Sequence, residues 1–196
     1  MDTFPLMPIR NQEPLITERL RLGFPKKTFT IERVPQVLSL TEFKRITKLT
    51  PFIGLAWTGM KPDSDNGRML KGNMLWRLIL VNSVSSGLEA RFKGDRSDIG
   101  MDAMVDVSTV LLQGVNFAGQ GATKVTLANS VIADGWTDDN VAISQIDFSF
   151  SFACSVAATG LMTPEDFKDL GITWSLTDDP NSDTVADDLS LPQEQP

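Results

Sequence analysis

Three segments in a fixed order constrain this chain most: an apolar strand at Met74–Val84, an amphipathic helix at Ile99–Phe117 and a long alternating strand at Val141–Phe152. In the first, Leu75, Leu78, Ile79, Leu80 and Val81 are nearly continuous, the pattern of a central strand covered on both faces. In the second, Ile99, Ala103, Met104, Val107, Val110, Leu111 and Val115 recur at i, i+3, i+4 and i+7, one stripe of a helix. The third alternates in two phases. Val141 and Ile143 are odd-numbered, whereas Ile146, Phe148, Phe150 and Phe152 are even, opposite Gln145, Asp147, Ser149 and Ser151. Strand side chains alternate with period 2, so the change of phase at Ser144–Gln145 predicts a bulge or a switch of face. Together the segments predict an α+β fold. Its sheet is mixed but mainly antiparallel, with one long amphipathic helix and one or two shorter helices packed on it.

The flanking sequence supplies the remaining elements. Pro5 and Pro8 make residues 1–13 an extended arm, and Pro14 suits the first position of a helix that carries Leu15, Ile16 and Leu20 and stops at Gly23 and Pro25. A short strand is expected at Phe29–Val34 and a short helix at Thr41–Lys48. Phe52–Thr58 reads as a strand that forms a hairpin with Met74–Val84, the polar loop Lys61–Lys71 at its tip. A second polar loop, Ser85–Asp98, ends in Ser97 or Asp98 as N-cap of the main helix. Lys124–Ala133 reads as a strand followed by an Asp-Gly turn. Thr163 and Pro164 start a last short helix that Gly171 stops, and Ile172–Leu176 adds an edge strand. The expected organisation is an arm at 1–13, one domain at 14–177 and an acidic, solvated tail at 178–196.

The residue inventory excludes much chemistry. The 196 residues include no histidine, no tyrosine and one cysteine. Without histidine there is no Ser-His-Asp triad, no Cys-His pair and no Cys/His zinc site. Cys154, in an apolar-to-small stretch, reads as a buried thiol. Gly114–Gly121 follows a helix and lacks the Gly-Lys-Ser/Thr ending, so it is not a phosphate loop. Asp134, Asp138 and Asp139 lack EF-hand spacing and are turn residues. No cofactor or metal is expected. Carboxylates are plentiful, but no two stand out as a catalytic pair.

Charge is unevenly spread. The net charge of -7 divides into +5 over residues 1–61, -6 over residues 62–177 and -6 over residues 178–196, the last with six acidic residues and no basic one. The lysines and arginines of the first block are not interleaved with aromatics, which disfavours tight nucleic-acid binding. Apolar stretches reach about ten residues, short of the roughly 20 that span a bilayer. No leader pattern opens the chain, so a soluble protein made in the cytoplasm, with no membrane partner, is expected.

The order of elements carries one resemblance. An N-terminal helix, a strand ending Leu55-Ala56-Trp57, a polar loop and the strand Trp76-Arg77-Leu78-Ile79-Leu80-Val81 come first. A second polar loop, a helix ending Val110-Leu111-Leu112-Gln113-Gly114 and two or three antiparallel strands follow. Over roughly residues 14–153 this resembles the tail terminator proteins of long-tailed bacteriophages, the Mu-like branch in particular; the arm, the Pro164 helix and the acidic tail lie outside it. The resemblance implies a virion structural protein at the head-proximal end of the tail, assembled in the host cytoplasm. Its subunits would form a homo-oligomer, a hexameric ring that caps the tail tube and stops its polymerisation. The ring would contact the tail tube protein and the head connector or neck proteins, and DNA would pass through its lumen without specific binding.

A ring needs two different complementary faces on each subunit, and polar loops on a rigid scaffold commonly carry such contacts. The candidate interface residues are therefore Lys61, Arg68 and Lys71 in the first loop and Arg91, Lys93 and Arg96 in the second. Plain solvent-exposed loops explain these residues equally well. Another head-to-tail joining or tail completion protein, or a carboxylate-based enzyme, remains as an alternative.

Overall fold

The computed structural model describes residues 8–64, 69–84, 87–96, 99–117, 120–131, 141–155, 169–174 and 185–190. In chain order these form α1 (Pro8–Arg21), β1 (Thr30–Arg33), α2 (Leu40–Ile46) with a 3-10 turn at Thr47–Leu49, β2 (Phe52–Pro62) and β3 (Met69–Ser83). Next come α3 (Leu88–Lys93), α4 (Met101–Leu112), β4 (Lys124–Ser130), β5 (Val141–Ser155), β6 (Asp169–Trp174) and β7 (Val185–Ser190). Five strands make one sheet in the order β1-β2-β3-β5-β4. Only β1 and β2 run parallel; the other pairs are antiparallel. The fold is α+β, as the sequence predicts. The main compact unit spans Leu6–Ser155. In a separate unit, β6 and β7 pair as an antiparallel ribbon.

One face of the five-stranded sheet holds the main core. Even-numbered residues of β3 (Met74, Trp76, Leu78, Leu80) and β5 (Ala142, Ile146, Phe148, Phe150, Phe152) pack there with Ile16 and Leu20 of α1, Phe24, and Met101, Met104 and Leu112 of α4. The C-terminal end of α1 approaches α4 closely. A Cβ on Gly23 would stand 2.6 Å from Cγ1 of Val107, so only glycine fits without repacking. Arg19 fixes the same crossing by donating from Nε to the Leu111 carbonyl at 2.9 Å. At the β1 edge the Arg33 guanidinium lies 4.6 Å from the Trp76 ring centroid, a cation–π contact.

The opposite face is covered over half its length. Phe52, Ala56, Ile79 and Val81 form a second cluster with Val34 and with Ile46 of α2. Ser39 caps α2 by accepting a bond from the Glu42 amide, and Arg45 ties the helix to β1 through Glu32 at 2.8 Å. Beyond Arg77 this face opens to solvent.

The second cluster explains the change of phase in β5, where the structure corrects the expected bulge. The pairing of β5 with β3 runs unbroken from Met69 opposite Ser155 to Ser83 opposite Val141, and every even residue from Ala142 to Cys154 is buried on the first face. Val141 and Ile143 are apolar because they pack against the second cluster, on the other side of the same regular strand. The irregularities lie elsewhere, between Trp57 and Gly59 in β2 and between Val125 and Leu127 in β4.

Other boundaries differ from the sequence reading. The helix α1 starts at Pro8, within the expected arm, and Pro14 sits inside it on the exposed side, opposite the buried Gln12, Ile16 and Leu20. Packing of that stripe outweighs the hydrogen bond that Pro14 cannot donate. The Ser85–Asp98 loop contains α3. The main helix begins at Met101 after Gly100, whose φ of 76° places Gly94 and Phe92 backbone where a Cβ would project. The expected caps Ser97 and Asp98 lie outside the described residues. This helix ends at Leu112 and buries Met101, Met104, Ser108 and Leu112, whereas Val110 is 74% exposed. Asp169–Gly171, expected at a helix end, belong to β6, and β7 falls within the expected unstructured tail. The Thr163 and Pro164 helix start lies outside the described residues. Cys154 is buried.

Candidate interaction surface

Pairing registers place charged residues on the open half of the second sheet face. Residues paired across strands share a face, and residues two apart on a strand return to it. Lys61 of β2 is opposite Asn73 of β3, which is opposite Ser151 of β5; Leu75 of β3 is opposite Ser149, which is opposite Lys124 of β4. Lys71 lies opposite Ala153, two residues before Asn73 on the same face. Lys61, Lys71 and Lys124 are all exposed. A shallow polar depression of about 420 Å³ lies here, lined by Asp63, Lys71, Asn73, Gln120 and Ser151 among others.

The boundary between the open and covered halves is an ion pair. Arg77 donates from Nε to Oδ1 of Asp147 at 2.6 Å and from Nη2 to Oδ2 at 2.8 Å. Hydrogen bonding to that carboxylate, helped by its charge and opposed by partial burial, raises the Arg77 pKa above its ordinary value. On the covered side of this pair lies an apolar groove of about 270 Å³ lined by Val37, Leu38, Phe43, Ile79, Val131 and Ile143, with Val37 80% exposed.

The six sequence-derived candidates do not form one patch among the described residues. Lys61 and Lys71 come together on the open face, but they sit in strand ends, because β2 and β3 extend further into the expected loop than the apolar pattern shows. Arg68 lies outside the described residues. Arg91 and Lys93 belong to α3, whose Phe92 packs on the first-face core; Lys93 pairs with Glu89 at 2.9 Å, and Arg96 is exposed beyond the helix. Lys124, Arg77 and the groove were not singled out from sequence. A lone arginine within an apolar strand, opposite an aspartate in an alternating one, is a signal only once the register is known.

Among the described residues no group of three or more His, Cys, Asp or Glu side chains stands where it could hold a metal ion. No helix of the described residues is long and apolar enough to cross a membrane. Compared with models of known protein families the chain matches none, and a comparison with curated proteins finds no match either.

Proposed function

We propose that this chain is a virion structural protein, the tail terminator of a long-tailed bacteriophage. It acts as a hexameric ring that caps the tail tube and joins the tail to the head connector, while DNA passes through the lumen. The observation that carries the reading is the two-sided sheet. Its first face is closed by α1 and α4, while the second presents an apolar groove and, across the Arg77–Asp147 pair, an exposed lysine-bearing surface. A subunit with unlike surfaces suits heterologous contacts, which close into a ring when the rotation divides a full turn. The resemblance in element order supports the same reading, and no catalytic role is assigned to any residue.

Mass measurement in solution and electron microscopy of the purified protein with tail tubes test this. Sixfold rings, or protein at the head-proximal end of tubes, support a terminator. Another stoichiometry or location indicates a different joining or completion protein. A monomer that turns over a substrate and loses that activity on neutralising one carboxylate sinks the assembly reading.

A further inference from the structure

We infer that the open, lysine-bearing half of the second sheet face receives the acidic segment 178–196 of a second copy of the chain. This rests on the ring reading, because it names one of the contacts that hold neighbouring subunits together.

The inference starts from charge on an acidic protein. On a chain of net charge -7, the open half gathers Lys61, Lys71 and Lys124 beside the mutually neutralised Arg77–Asp147 pair, with Asp63 the other carboxylate on the depression's lining. Between the cations lie Asn73, Ser149 and Ser151, with half-buried Leu75 the single large apolar side chain among these rows. Such a surface offers donors and positive charge but little apolar area, so it fits a polar anionic occupant. Segment 178–196 supplies one: Asp178, Asp179, Asp183, Asp187, Asp188 and Glu194, with no basic residue; Asp187 and Asp188 lie in β7, so the segment docks with that strand still paired to β6.

Geometry suits a diffuse match. Paired strands stand about 4.8 Å apart and alternate residues about 7 Å apart along a strand, so the lysines are spread over the width of the sheet. Lysine ammonium groups on flexible stems act as mobile point charges and need no fixed carboxylate geometry. Single exposed ion pairs are weak; a run of six carboxylates over several lysines acts as a set, and salt screens it. Complementary charge of this kind also favours correct orientation during encounter.

The test uses full-length protein in four forms: wild type, K61E/K71E/K124E, a neutralised segment (D178N, D179N, D183N, D187N, D188N, E194Q), and a charge swap joining K61E/K71E/K124E to D178K/D179K/D187K/D188K. Circular dichroism checks that each folds. Sedimentation across a concentration series should show the assembly midpoint rising at least tenfold in each single set and recovering in the swap. A labelled peptide of residues 178–196 should bind the neutralised form, weaken at least tenfold between low and high salt, and fail to bind when the three lysines are also reversed. If both single sets assemble like wild type, the inference is overturned while the ring reading stands. If the wild type neither assembles nor caps tubes, the ring reading falls and the contact with it. Binding of a labelled DNA duplex where the peptide does not bind assigns the face to phosphate and also overturns the proposal.

Discussion

Arg77 and Asp147 face each other across the β3–β5 pairing and are joined by two parallel hydrogen bonds of 2.6 and 2.8 Å, with about a quarter of each side chain exposed. The pair stands where the apolar half of the second face gives way to its polar half. Removing one partner strands the other in a half-buried site. D147A should therefore destabilise the fold by about 1–3 kcal/mol in urea unfolding. The double variant R77M/D147L should recover most of that loss, since replacing both partners by apolar groups removes the stranded charge. Additive losses in the double-mutant cycle would show that the two residues do not act as a pair.

Adjacent residues of β5 should respond oppositely. Phe150 is 1% exposed in the main core, edge-on to Phe117 with ring centroids 6.0 Å apart, while Ser149 looks out on the open face. F150A should cost about 3–5 kcal/mol, by lost transfer energy and the cavity left behind. S149A should fall within about 0.5 kcal/mol of wild type. Thermal or chemical denaturation of the two variants checks this, and similar losses in both would contradict the assignment of faces.

The contrast also shows what the sequence could and could not carry. Phe148, Phe150 and Phe152 announce their face because one side of β5 there is packed and the other wet. Near Val141 and Ile143 both sides are covered, by different partners, so the pattern reverses although the backbone continues. Periodicity reports burial, and a second apolar cluster looks in sequence like a break in the strand. The helix stripe departs from its sequence pattern at Val110 for a related reason: a valine is apolar wherever it points, and the buried stripe through Met101, Met104, Ser108 and Leu112 includes a serine. The candidate surface was half legible. Lys61 and Lys71 bracket a polar stretch and so drew notice, whereas Lys124 joins them through a register between strands distant in sequence.

Gly23 offers a test of the α1–α4 crossing. Replacing glycine by alanine at a compatible site gains about 0.4–1 kcal/mol from the unfolded chain. Here the new Cβ would lie 2.6 Å from Cγ1 of Val107 and 2.9 Å from Cδ1 of Leu111, and overpacking of this kind costs about 1–3 kcal/mol. The clash should win, so G23A lowers the melting temperature. V107A alone should also destabilise, but G23A combined with V107A should lose less than the sum, with a coupling of about 0.5–3 kcal/mol. A G23A protein as stable as wild type would mean that the two helices are not in close contact there.

The Glu42–Arg45 pair within α2 should respond to acid in a defined direction. Arg45 donates to Glu42 at 2.7 Å and to Glu32 at 2.8 Å, and its hydrogen bonds to Glu42 hold that carboxyl below its ordinary value. A carboxyl depressed in the folded state contributes stability that is fully present above its unfolded pKa, about 4.3, and is lost as pH falls through the lower folded value. The pairs are exposed, so the effect on global unfolding should be small and screened by salt. The clear readout is local. A carbon-detected NMR titration should place the Glu42 midpoint below the ordinary glutamate range, and R45M should return it there. A Glu42 midpoint unchanged by R45M would show that the Arg45 contacts do not persist in solution.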